Sequence, residues 1–178
     1  IGTHSPKEFI ESLKSPRKIL LMIRAGHPVD EMIITLLPFL KKGDTIIDGG
    51  NSDYRDTQRR ENELREKGIF FVGCGISGGE EGALHGPSIM PGGADEIKKE
   101  ILPVLQNIAA HLDDGTPCCS WIGPDGSGHF VKTVHNGIEY GDMQLIAEAY
   151  SLLNILQKGD HEATAQTFES WNKGVLDS

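Results

Sequence analysis

Between residues 126 and 144 the chain reads GSGHFVKTVHNGIEYGDMQ. At 3.6 residues per turn, Lys132, His135, Asn136, Glu139 and Tyr140 fall at i, i+3, i+4, i+7 and i+8, on one helical stripe. The stripe carries a cation, an imidazole, an amide, a carboxylate and a phenol. Lys132 and Glu139 are two turns apart, about 10 Å of rise, which leaves room between their long side chains for a small ligand. Such a pair offers proton transfer, because a partly desolvated lysine has its pKa drawn toward operating pH and a carboxyl group donates once protonated. A polar stripe is ordinarily a solvated face, but a solvated face favours Lys, Glu, Gln and Arg over His, Asn and Tyr. The helix also starts from Gly126-Ser127-Gly128, which lets other backbone come close. It keeps Gly137 and Gly141 inside, at about 1 kcal/mol each relative to Ala. Both features predict that something packs against this surface.

The elements that must position the stripe alternate. Ser5-Pro6-Lys7-Glu8 is a capping box with proline at the first helical position, so a helix is expected over 5–14. Lys18 to Ile23 is an apolar run of strand length, and Val29 to Lys41 has helical spacing up to Gly43. Asp44 to Asp48 reads as a buried strand, Asp56 as the cap of a polar helix ending at Gly68, and Ile69 to Val72 as the next strand. After Gly73 the chain is loop-rich, with a short strand near Ser88 to Met90. A helix over 95–112 contains Pro103, which suggests a kink or a second start, and Cys118 to Ile122 reads as a last strand. The rhythm is that of βαβ units, an α/β fold with a parallel sheet. Beyond residue 125 only helices are expected, at about 127–157 and 160–172. The predicted organisation is 1–125 as a partial Rossmann-like domain and 126–178 as the start of an all-helical domain.

Open parallel sheets bind ligands at the carboxyl ends of their strands. Here Arg24-Ala25-Gly26, Gly49-Gly50-Asn51-Ser52 and Gly75-Ile76-Ser77-Gly78-Gly79 follow three successive strands. Ordinary turn chemistry accounts for any one of them, whereas three in succession also fit a site where backbone N–H groups approach an anion.

With 178 residues, 38% hydrophobic and 24% charged, the chain can bury a real core. A formal charge of −9 argues against nucleic acid or an anionic membrane as partner. No apolar run reaches membrane-span length and no signal peptide is visible, so a soluble, cytoplasmic protein is expected. Cys74, Cys118 and Cys119 form neither a disulfide framework nor a zinc motif, and no metal is expected. The Gly-rich GPDGSGHF is not a P-loop, since His129-Phe130 stands where Lys and Ser or Thr are required.

The strings IIDGGNSDYRDTQRR, VGCGISGGEEGALHGPSIMPGG and GHFVKTVHNGIEYGDMQLI together resemble the 6-phosphogluconate dehydrogenase family, over nearly the whole chain. The broader β-hydroxyacid dehydrogenases share the SGG loop and the pattern met by Gly126, Gly128, Lys132 and Asn136. The continuation NGIEYGDMQ resembles the phosphogluconate enzymes in particular. The resemblance implies NADP-dependent oxidative decarboxylation of 6-phosphogluconate to ribulose 5-phosphate and carbon dioxide, in the oxidative pentose phosphate route, by a homodimer.

By resemblance, Lys132 is the general base toward the C3 hydroxyl and then, protonated, polarises the 3-keto oxygen, while Glu139 protonates C1 of the enediol. The lysine ammonium supplies the electrophilic stabilisation, so no metal is needed. Asn51, Ser77, Gly78, Gly79, His135, Asn136 and Tyr140 match substrate contacts, and Ile23, Arg24, Ala25 and Asn51 match coenzyme contacts. His27, His85 and His129 are expected to be structural.

The family begins with a glycine-rich dinucleotide fingerprint, which this chain lacks ahead of its first strand, and it continues into a large helical domain that binds the substrate phosphate. Two other readings follow: a noncatalytic segment of that enzyme, or a related dehydrogenase for a smaller acid. Glu139 and Tyr140 speak against the latter, because simple hydroxyacid oxidation needs no enediol protonation.

Overall fold

The computed structural model describes residues 2–174. Helix α1 (Pro6–Ser12) starts as the capping box predicts, Ser5 accepting from the Glu8 N–H, although the Glu8 carboxylate reaches back to the His4 N–H. Strand β1 (Lys18–Leu21) follows, then α2 (His27–Leu36), whose end tightens into a 3-10 turn at Leu37–Phe39. Strand β2 (Thr45–Asp48) leads into α3 (Tyr54–Arg65), capped by Asp53 rather than Asp56. The Asp53 carboxylate accepts from the Arg55 N–H at 2.8 Å, and Asp56 sits in the first turn, where a carboxylate favours the helix dipole.

Strand β3 (Phe70–Ser77) is longer than expected, and β4 spans Ser88–Gly93. Strands β1, β2 and β3 pair in parallel, in the order β1-β2-β3-β4, but β4 runs antiparallel to β3. The sheet is therefore mixed at this end. The reason is length: β3 and β4 are joined only through the seven-residue helix α4 (Gly79–His85), too short for a crossover, so the chain turns back.

The segment expected as a last strand, Cys118 to Ile122, lies beside β4 as an isolated parallel bridge, Ile89 with Cys119. The Ile89 N–H donates to Cys118 and the Ile122 N–H donates to Pro91. Pro91 has no N–H for the rung between them, and the ladder stops. Helix α5 (Asp95–Ile108) continues through Pro103 as one element; Lys99, whose carbonyl loses its donor, is an exposed residue.

Both faces of the sheet are covered near its centre. Alternation along the strands sends Ile19, Leu21, Ile46 and Phe71 to one core with Ile10, Val29, Ile33 and Leu64, and sends Ile47, Val72 and Cys74 to the other with Ile97, Ile101 and Leu105. On the second face β1 is open, with Leu20 44% and Met22 61% exposed.

Helix α6 (Ser127–Leu156) passes the division between two compact units, which falls between Val134 and His135. In the second unit the rest of α6 packs on α7 (His161–Asn172), capped by Asp160. Tyr150, Phe168 and Trp171 form an aromatic ladder, and the Thr164 hydroxyl donates to Gln157 Oε1 at 2.6 Å. Residues 175–178 of the expected helical domain lie outside the described residues. None of the described helices is long and apolar enough to cross a membrane.

Candidate active site

The three glycine-bearing loops meet. Ile23, Arg24 and Ala25 after β1, Gly49, Gly50 and Asn51 after β2, and Ser77, Gly78 and Gly79 after β3 all line one open cavity of about 770 Å³. They converge because β1, β2 and β3 are parallel and in register, which brings their carboxyl ends to one side of the sheet. The floor is apolar, formed by Leu20, Met22, Ile76 and Ile108.

Lys132 belongs to the same unit and is only 7% exposed. Its seat is a glycine path across the sheet. A Cβ on Gly75 would lie 2.6 Å from Lys132 Cβ and 3.1 Å from the Gly128 carbonyl, and a Cβ on Gly128 would run into the carbonyls of Gly73 and Met90. Only glycine at these positions lets the first turn of α6 rest directly on β3 and β4. Lys132 thereby stands over Gly75 of β3, on the sheet face opposite to the Ile76 side chain that lines the cavity. One turn earlier, His129 is buried, its Nδ1 2.7 Å from the Thr57 hydroxyl. Burial pushes its pKa below the ordinary value, so it stays a neutral structural histidine. His27 and His85 are exposed and each faces a glutamate four residues away.

Four further residues of the stripe belong to the second unit. His135 Nδ1 lies 3.0 Å from Asn136 Oδ1, within hydrogen-bond distance, and 3.8 Å from Glu139 Oε2. Glu139 and Tyr140 are exposed. Two of the three thiols are buried in the core, where burial pushes Cys74 up to about 12 and Cys119 up to about 11 and keeps both protonated. Among the described residues no cluster of His, Cys, Asp and Glu is arranged to hold a metal.

A buried polar network in this unit was not legible in the sequence. Asp48, Ser52, Thr57, Arg60 and Glu61 are all buried, although α3 reads as a polar, solvated helix. Asp30, at the start of α2, accepts from Arg60 Nε at 2.8 Å and from Arg59 at 2.9 Å. Those bonds, led by the one from Arg60, hold its pKa down from 3.8 to about 2. A carboxylate depressed on folding contributes stability that is fully present above its unfolded pKa and is lost as pH falls through the folded one. Denaturant unfolding across a pH series should therefore show stability draining between pH 3.8 and about 2, and Asp30→Asn should flatten that limb. An equally steep acid limb in the variant would remove Asp30 from the account.

An α/β sheet whose three parallel strands send their carboxyl-end loops to one cavity is the architecture of dinucleotide-binding domains. The family model described as the NAD binding domain of 6-phosphogluconate dehydrogenase matches residues 1–123, and that of the 6-phosphogluconate dehydrogenase C-terminal domain matches residues 128–178. The chain belongs to the 6-phosphogluconate dehydrogenase family.

It is 57% identical over all 178 residues to the NADP(+)-dependent, decarboxylating 6-phosphogluconate dehydrogenase of Bacillus subtilis, covering 38% of that protein. It is 56% identical to the decarboxylating enzyme of Ovis aries, covering 37% of it. The solved 6-phosphogluconate dehydrogenase of Plasmodium falciparum, described in apo form and in complexes with its cofactor NADP+ and its substrate 6-phosphogluconate, superposes with a TM-score of 0.89 at 45% identity, over 97% of this chain and 37% of that one. The chain thus spans a little over a third of the length of the relatives it matches.

Proposed function

We propose that this chain, set in the longer framework of its relatives, supplies the catalytic lysine and part of the coenzyme-facing surface for NADP-dependent oxidative decarboxylation of 6-phosphogluconate. The observation that carries the reading is Lys132, buried over Gly75 of β3, the strand whose following loop Ser77-Gly78-Gly79 lines one cavity with the loops after β1 and β2. NADP, when bound, accepts the hydride; Ile23, Arg24, Ala25 and Asn51 are the residues that would hold it. The apolar lining of Leu20, Met22, Ile76 and Ile108 suits a nicotinamide ring. Lys132 takes the proton of the C3 hydroxyl as the hydride departs. Its ammonium then polarises the 3-keto oxygen, so that the electron pair of the breaking C1–C2 bond is received as an enediolate while C1 leaves as carbon dioxide. Glu139, with His135 beside it, gives a proton to the former C2, which becomes C1 of ribulose 5-phosphate. Asn51, Ser77, Gly78, Gly79, Asn136 and Tyr140 orient the substrate.

On this reading the complete protein is a cytoplasmic homodimer of the oxidative pentose phosphate route. Residues 1–125 form part of its dinucleotide-binding domain and 126–178 open its helical domain.

The test is a full-length chimera, these 178 residues replacing the matching segment of the Bacillus subtilis relative, supplied with NADP and 6-phosphogluconate. Reduced nicotinamide and carbon dioxide should appear in equal amounts. Reduction without carbon dioxide, or a preference for a small unphosphorylated hydroxyacid, would overturn the assignment. Assaying the 178 residues alone beside the chimera decides whether the segment turns over by itself.

A further inference from the structure

The last backbone rung joining β1 to β2 runs from the Gly49 N–H to the Leu21 carbonyl. Past it, the two loops that carry Ile23-Arg24-Ala25 and Gly50-Asn51 are tied by side chains, and those ties converge on Arg60. Its guanidinium, on α3 and 1% exposed, donates from Nε to Asp30 Oδ1 at 2.8 Å and from one terminal nitrogen to Asp30 Oδ2 at 3.1 Å and the Gly26 carbonyl at 3.0 Å. The other terminal nitrogen reaches the Ser52 hydroxyl at 3.4 Å and lies 3.7 Å from Asp48 Oδ2. Asp48 in turn accepts from the Ser52 hydroxyl at 2.6 Å and from the Gly50 N–H at 3.0 Å. One planar cation therefore reaches the loop after β1, the first turn of α2, and the loop after β2.

Arg60 and its partners stand behind the cavity. The cavity is lined by Arg24, Ala25, Gly50 and Asn51, and Arg60, Asp30, Asp48 and Ser52 are not among its lining residues. We propose that Arg60 is a positioning residue for the coenzyme, holding Ile23-Arg24-Ala25 and Asn51 in their binding geometry through Gly26, Asp30, Asp48 and Ser52. The proposal rests on the reading of this cavity as the NADP site.

Burying a guanidinium is costly unless its hydrogen bonds are satisfied in a fixed arrangement, and that cost makes the loop geometry unique rather than one of several. Arg59 supplies a natural control, since it also pairs with Asp30 but is half-exposed and, among the described residues, otherwise pairs with Asp56 and Glu63 on its own helix. A lysine cannot replace Arg60, because a single ammonium lacks the fork that reaches carboxylate, carbonyl and hydroxyl at once.

In the chimera, Arg60→Lys should raise KM for NADP about tenfold, the effect of losing one charge-assisted hydrogen bond, with kcat changed by no more than about threefold on the same scale. Ser52→Ala, which removes only a hydroxyl, should move KM for NADP in the same direction and keeps the question open to measurement if the arginine variants fail to fold. Arg59→Gln should lower the melting temperature without moving KM for NADP. Added guanidinium ion should restore coenzyme affinity to Arg60→Ala, a response that general loss of stability does not give. Unchanged KM for NADP in both Arg60→Lys and Ser52→Ala, beside a lowered melting temperature, would show a purely structural arginine. A fall in kcat at constant KM would equally overturn the proposal. A parent chimera with no NADP turnover would instead remove the reading of the cavity itself, and this inference with it.

Discussion

Replacing Lys132 by Met in the chimera should lower turnover by about 10³-fold, the middle of the range for a positioned general base, with little loss of 6-phosphogluconate binding. Methionine is a near-isostere of the lysine stem, so the glycine seat formed by Gly75 and Gly128 remains filled and the first turn of α6 keeps its place. On the proposed mechanism, what disappears is the nitrogen that accepts the C3 hydroxyl proton and then holds charge against the keto oxygen. The loss belongs in kcat, because both interactions are made in the transition state. Wild-type-like rates would sink the base assignment. A companion variant separates chemistry from placement: Gly75→Ala keeps the amine but puts a methyl 2.6 Å from Lys132 Cβ, and a misplaced base costs rate without any change in the chemical group. Single-turnover hydride transfer and substrate affinity measured together distinguish the two effects.

The second large effect is expected at Glu139. Glu139→Gln removes a proton donor and preserves its shape, so hydride transfer should proceed while release of ribulose 5-phosphate slows by about 10²-fold, the lower end for general acid catalysis. The diagnostic is a split between reduced nicotinamide formed in a first turnover and pentose phosphate formed in the steady state. His135 lies 3.8 Å from the same carboxylate, so a residual rate in the variant that falls with His135→Ala would identify the imidazole as the auxiliary donor. An unchanged rate of carbon dioxide and ribulose 5-phosphate release in Glu139→Gln would contradict the assignment.

The local chemistry of this chain was open to reading because it depends on short spacings. The capping box at Ser5, the strands from Lys18 and Thr45, and the thirty-residue α6 follow from caps, apolar runs and helical periodicity within a few residues. Lys132 to Tyr140 on one helix and glycine-bearing loops after three strands are statements of the same short range. The amino acids alone therefore determined the α/β class, the candidate residues and the family resemblance.

Long-range geometry decided the rest. Whether β4 would run parallel depended on how far the chain could travel between Ser77 and Ser88, and the last expected strand failed at Pro91, a neighbour almost thirty residues away. The polar helix α3 offered no sign that Thr57, Arg60 and Glu61 face inward, because a satisfied buried charge and a solvated one are the same letter; only partners from other elements, such as Asp30 and Gly26, separate them. Likewise the sequence marks Gly128 as a place where other backbone can come close, but only the fold shows that the close neighbours are Gly73 and Met90, and that a Cβ on Gly75 would push against Lys132. Side-chain type and spacing set what chemistry was on offer. Burial and close approach, which arise only when distant segments share space, decided which of those groups were held in place to perform it.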